Sequence, residues 1–264
     1  MPNRHYVEDL EFDLPSALLT ELVKLFEEMP VGPLTETEVA EVPDGQGVYQ
    51  LFHREELVYI GKTDAQAGLR ARLNRHARKI QGRRFLSPQN VAFKAVRVYV
   101  FTAMDLEELL ISYYKNVKGV PPAWNFSGFG ANDPGRRRDK TQLKTGHFDR
   151  LYPIDLDIPL QDFNGTMQVA RALQNLKSAI PYNIRFQTVG SGSRRPHPDL
   201  LRTSVTYSGE DRTVRNILID IKSALGPEWQ ITALPGYVIV YREREHYPDG
   251  EIIDPPPAAK IGNA

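Results

Sequence analysis

The chain is 264 residues long, its 33 Lys and Arg balance 33 Asp and Glu, and it contains no cysteine. That length suits one large or two small domains with a real core. The absence of cysteine excludes disulfides and thiolate metal sites and fits a reducing compartment. No stretch approaches the ~18 uninterrupted apolar residues of a membrane helix. The acidic start, with Glu8, Asp9, Glu11 and Asp13, carries no apolar signal-peptide core. The expectation is a cytoplasmic protein with no membrane partner.

Residues 1–45 read as an acidic arm with one helix. Leu18, Leu19, Leu22 and Phe26 repeat at helical spacing, Ser16 is the expected cap, and Pro30 and Pro33 end it. Gly47-Val48-Tyr49 and Tyr59-Ile60-Gly61 follow, two short β runs separated by a polar turn at His53, Arg54, Glu55 and Glu56, so a hairpin is predicted. Glycine at one end of each triplet suits a close backbone approach. From Gly68 to Ile80 the stripe Leu69, Leu73, Ala77, Ile80 predicts a helix, with Arg72 and His76 on one face.

Val91 to Phe101 alternates as a third strand. A second helix opens at Thr102 with Asp105 as a capping box, places Glu107 in its first turn, and buries Leu106, Leu109, Leu110 and Tyr113. Pro121-Pro122 breaks the chain before Trp124-Asn125 and a glycine-rich loop, Ser127 to Gly130.

The balanced total hides a polar distribution. Acids dominate up to Ile60. Bases dominate from Gly61 to Val100, and Arg136, Arg137, Arg138, Lys140 and Lys144 form a second basic cluster. A charged run is often only a solvated face. Here the bases lie on the segments that carry the triplets and the Arg72/His76 pair, which points to a polyanion. Beyond Asp155 a helical series from Val169 (Ala172, Leu173, Leu176, Ile180) recurs with identical offsets from Val214 (Ile217, Leu218, Ile221, Leu225). Strands are expected at 183–188, 203–207, 230–232 and 237–242, and a loop at 191–198. A tandem strand-helix-strand arrangement is therefore predicted for 155–246. Pro255-Pro256-Pro257 marks a flexible tail, 247–264.

Taken together and in order, Gly47-Val48-Tyr49, Tyr59-Ile60-Gly61, Arg72 with His76, Glu107 ahead of Leu110-Ile111, and Asn125 after Trp124 resemble the GIY-YIG nuclease superfamily across 46–130. The run GFGANDPGRRRD and then HFDRLYPID is most similar to its type II restriction endonuclease branch. The stretch 116–120 is longer than that family's usual spacing and leaves Glu108 as an alternative to Glu107; Leu110-Ile111 favours Glu107. The resemblance implies an α+β protein. A compact α/β nuclease domain with a small mixed sheet would occupy 46–150, and a C-terminal α+β domain would follow.

It also implies a metal-dependent endonuclease hydrolysing phosphodiester bonds of double-stranded DNA, with one Mg²⁺ per active site on Glu107. Tyr49 would be general base toward water, its ordinary pKa near 10 lowered by Arg72, Lys62 and the metal. Tyr59 would position water or phosphate, Arg72 would contact non-bridging oxygens, and His76 would relay the proton. Asn125 would orient Glu107 or hold the loop. Lys62, Arg75, Arg136, Arg137 and Arg138 are the expected DNA contacts, by phosphate or by guanine edge. A homodimer acting on a palindrome and a cognate DNA methyltransferase are the implied partners. A structure-specific repair or recombination nuclease and a non-catalytic DNA-binding module are the competing readings. Cutting only at branches would select the first, and metal-independent binding without cleavage the second.

Overall fold

The computed structural model describes residues 11, 13–63, 68–99, 105–131, 133, 135–161, 163–190, 192–207 and 212–256. They form a mixed α+β protein with small antiparallel and mixed sheets and, among the described residues, eight α-helices. The chain divides into two compact units: Met1–Asn74 with Gln89–Asn125, and Arg75–Pro88 with Phe126–Ala264. The described residues of the expected acidic arm fall in the first unit, and 75–88 and 126–150 of the expected 46–150 domain fall in the second.

The first unit contains α1 (Leu14–Glu28), β1 (Gly32–Pro33), α2 (Glu36–Ala40), β2 (Gly47–His53), β3 (Glu56–Thr63), the start of α3 (Leu69–Lys79), β4 (Val91–Arg97) and α4 (Leu106–Asn116). Its sheet is antiparallel throughout, in the order β1-β4-β2-β3. The hairpin turn is only Arg54-Glu55, both at positive φ, which two-residue hairpin loops demand. Alternation along β2 sends Val48 and Phe52 to one face, where they pack with Leu22, Val23 and Phe26 of α1 and Leu106 and Leu110 of α4. Each fully buried Leu or Phe there contributes roughly 1.5–3 kcal/mol. Tyr49 and Leu51 are sent to the opposite face.

Local details correct the sequence reading. Asp13, not Ser16, caps α1: its carboxylate accepts from the Ser16 N–H at 3.1 Å, and Pro15 stands in the first turn, where a missing N–H costs nothing. Asp105 caps α4 by accepting from the Glu108 N–H (3.1 Å). Thr102, the other half of the expected capping box, lies outside the described residues, as do 100 and 101 of the expected third strand.

The second unit adds α5 (Phe148–Leu151), β5 (Pro159–Leu160), β6 (Gly165–Gln168), α6 (Val169–Ala179), β7 (Asn183–Phe186), α7 (Pro198–Arg202), β8 (Ser204–Tyr207), β9 (Arg212–Thr213), α8 (Val214–Leu225), β10 (Gln230–Leu234), β11 (Tyr237–Tyr241) and β12 (Glu251–Ile252). Its larger sheet runs β12-β10-β11-β7, with β7 parallel to β11 and the other pairs antiparallel. β5 pairs with β9 and β6 with β8. The two helical series predicted from their matching offsets are α6 and α8, whose stripes pack with Trp229, Ile231, Val238 and Val240 in one core. Residues 247–256 do not form the expected free tail. Tyr247 and Ile253 are buried, and β12 pairs with β10. Among the described residues no helix is long and apolar enough to cross a membrane.

Candidate functional site

Four of the predicted residues converge in the first unit. Tyr49 is fully buried on β2, opposite Gly61 of β3. Tyr59 lies on the same face, its ring centroid 6.1 Å from that of Tyr49. Arg72, near the start of α3, stands within hydrogen-bonding reach of Tyr49 and close enough to act electrostatically on both phenols. Glu107, in the first turn of α4, accepts the Lys62 N–H at 3.2 Å and is close enough to act on both tyrosines.

Both triplet glycines are steric requirements of this packing. A Cβ on Gly61 would stand 2.3 Å from the Tyr49 hydroxyl, and one on Gly47 would stand 2.3 Å from the Val96 carbonyl oxygen. Each distance is shorter than any real contact, so a side chain at Gly61 would displace the phenol itself.

β3 is an edge strand, and its outward groups are satisfied in succession by the site residues. The Trp124 N–H donates to the Val58 carbonyl (2.7 Å). Asn125 accepts from the Ile60 N–H (2.8 Å) and donates to the Ile60 carbonyl (2.9 Å). Glu107 then takes the Lys62 N–H. Side chains and loop thus cover an edge that would otherwise invite strand addition. Both ends of the Asn125 amide engage Ile60, which ties the segment at Trp124-Asn125 to β3. Glu107 is half-buried beside the phenols whereas Glu108 is exposed, so Glu107 is the carboxylate of the cluster.

Burial governs the electrostatics. It pushes Tyr49 well above the ordinary phenol value, and nearby Tyr59 adds to this; Arg72 opposes it without prevailing. Tyr59 is raised by burial and by Glu107. Glu107 is raised by burial and by Asp105, against the pull of the Lys62 N–H and Arg72. Burial also works against the Arg72 charge, but its hydrogen bond to Tyr49 and the surrounding acids outweigh that and hold it above its usual value. Lys62 is ion-paired with Asp105, the residue that caps α4.

His76 is 1% exposed and stacks on Phe129, ring centroids 4.7 Å apart. It occupies a packed aromatic environment, and its expected neighbourhood with Tyr49 rests on helical spacing from Arg72 alone. Arg75 donates to the Ala131 carbonyl (3.0 Å), holding a loop. Lys79, not singled out by sequence, donates to the Gly128 and Phe129 carbonyls (3.1 and 2.6 Å); burial pushes its pKa down to about 8. The glycine-rich loop therefore caps the half-buried Lys79 ammonium. Arg136 is held by Glu243 (2.9 Å) and stacks on Tyr241. Lys140 pairs with Glu245 (2.7 Å). Arg137 and Arg138 remain exposed.

Among the described residues no three His, Cys, Asp or Glu side chains gather as a metal cage. Among the described residues of the cluster, Glu107 is the carboxylate open to a cation, and it keeps lone pairs beyond the one used by Lys62. A lone hard oxygen donor fits Mg²⁺, which retains most of its waters and takes phosphate oxygens as further partners. Comparison with models of known protein families gives no match, and comparison with curated proteins gives none.

Proposed function

We propose that the chain is a Mg²⁺-dependent endonuclease for double-stranded DNA with GIY-YIG chemistry, acting as a type II restriction enzyme. The observation that carries this reading is the convergence of Tyr49, Tyr59, Arg72 and Glu107 from β2, β3, α3 and α4. Two phenols, one guanidinium and one carboxylate gathered from four elements match what phosphodiester hydrolysis requires.

Glu107 would hold the cation, which when bound supplies positive charge beside the phosphoryl oxygens and carries coordinated water. Arg72 has donor capacity beyond the phenols, since a guanidinium carries five N–H groups, and it neutralises a non-bridging oxygen. Tyr49 hydrogen-bonds the attacking water. Tyr49 can take the water's proton only as the phenolate, the form that burial opposes and Arg72 favours. Tyr59 steers the water or phosphate, and Asn125 keeps the β3 edge and its loop in register.

A restriction role carries with it a homodimer, so that two such clusters reach two strands, and a methyltransferase of the same specificity. The test is digestion of a defined unmethylated plasmid with Mg²⁺, with mapping of the ends. Cleavage at a small set of fixed palindromic sites supports the reading, and cleavage confined to flaps or branched junctions contradicts it.

A further inference from the structure

The second unit contains a groove of about 1530 Å³ whose walls carry seven Lys and Arg side chains against four Asp. The four acids already have basic partners: Asp133 and Asp139 pair with Arg185, Asp149 with Arg83, and Asp249 with Arg150. Arg138, Lys144 and Lys177, by contrast, are exposed and form no ion pair among the described residues. The groove is therefore positively charged where a ligand can reach it, and it suits a polyanion.

Phe126 stands in the lining of this groove. It is 96% exposed, and its backbone is left-handed, with φ at 64°. Both features are unfavourable for a phenylalanine: its ring gains nothing from burial, and a bulky L residue resists this backbone region. The Ser127 carbonyl next to it accepts the Phe148 N–H at 2.8 Å. An aromatic ring is thus presented outward from a backbone fastened within the same unit, in a groove lined by uncompensated cations.

We propose that Phe126 is a wedge that inserts between stacked base pairs of duplex DNA held in this groove by Arg138, Lys144 and Lys177. Apolar side chains at basic surfaces enter base steps in this way, unstacking and unwinding the duplex. The pinned backbone lowers the ordering cost of presenting the ring. The inference rests on the DNA-cleaving reading above and adds the means by which the duplex is deformed.

The test uses the full chain in EDTA, which suppresses cleavage. Closed plasmid is relaxed by a metal-independent topoisomerase in the presence of saturating protein, and affinity for a short mixed-sequence duplex is measured by anisotropy over a salt series. Wild type should shift the topoisomer distribution. Phe126→Ala, with unchanged circular dichroism, should lose the shift and bind about tenfold more weakly at an unchanged salt slope, because stacking releases no counterions. Phe126→Trp should restore both. Lys144→Ala should lower the slope by about one. A Phe126→Ala protein that unwinds and binds like wild type overturns the wedge while leaving the nuclease reading intact. A wild type that binds no duplex overturns both.

Discussion

Glu107 is the residue whose protonation most directly reports the site. Burial raises its pKa above the ordinary 4.5, so the folded protein binds that proton more readily than the unfolded chain. The associated stability is fully present below about 4.5 and is lost as pH rises through the folded value. Above that folded value the metal-free protein carries a carboxylate at a cost. Glu107→Gln, which can still accept the Lys62 N–H, should raise Tm at neutral pH by on the order of 2 °C. Mg²⁺ should raise Tm of the wild type and leave the Gln variant unmoved. A lower Tm for Glu107→Gln, read by calorimetry, would contradict the assignment of a destabilising carboxylate. The same residue was recognisable in sequence through Leu110-Ile111 and its place in the first helical turn. The Lys62–Asp105 pair was not, because spacing in sequence does not reveal which cation a carboxylate will capture.

The informative element is β3, an edge strand whose outward groups are covered by Trp124, Asn125 and Glu107 in turn. Each hydrogen bond contributes about 0.5–1.5 kcal/mol net. Asn125→Ala, which removes two, should cost about 2 kcal/mol in chemical denaturation. Asn125→Asp should cost more, since a carboxylate would face the Ile60 carbonyl with no donor. Equal losses for the two would argue that the amide only fills space. At this scale sequence reading works where a pattern is periodic: the α3 stripe, the α6 and α8 stripes, and the triplet strands all lie where predicted. It fails where a single contact decides. Asp13 displaces Ser16 as a cap, and β12, a two-residue strand, has no periodicity to read; Tyr247 and Ile253 mark the buried positions of its segment.

Across the whole molecule, zero net charge resolves into cations that are internally matched and cations that are not. Arg136 meets Glu243, 107 residues away, and Lys140 meets Glu245, 105 residues away. No local reading of the basic cluster could foresee that separation, and it splits a run that looked uniform. Exposed pairs of this kind add little stability, but they change which side chains can displace counterions. Arg137→Ala should lower the slope of log affinity against log salt for duplex DNA by about one, and Arg136→Ala by clearly less. Equal slopes for the two variants would mean that Glu243 releases Arg136 on binding.

The claim that a buried cluster of two phenols, a guanidinium and Glu107 hydrolyses DNA is tested most directly by incubating supercoiled plasmid with Mg²⁺ and wild type, Tyr49→Phe or Glu107→Ala protein. The account predicts linear product from wild type only, with duplex binding retained by both variants. Cleavage by Glu107→Ala or Tyr49→Phe at the wild-type rate would contradict it.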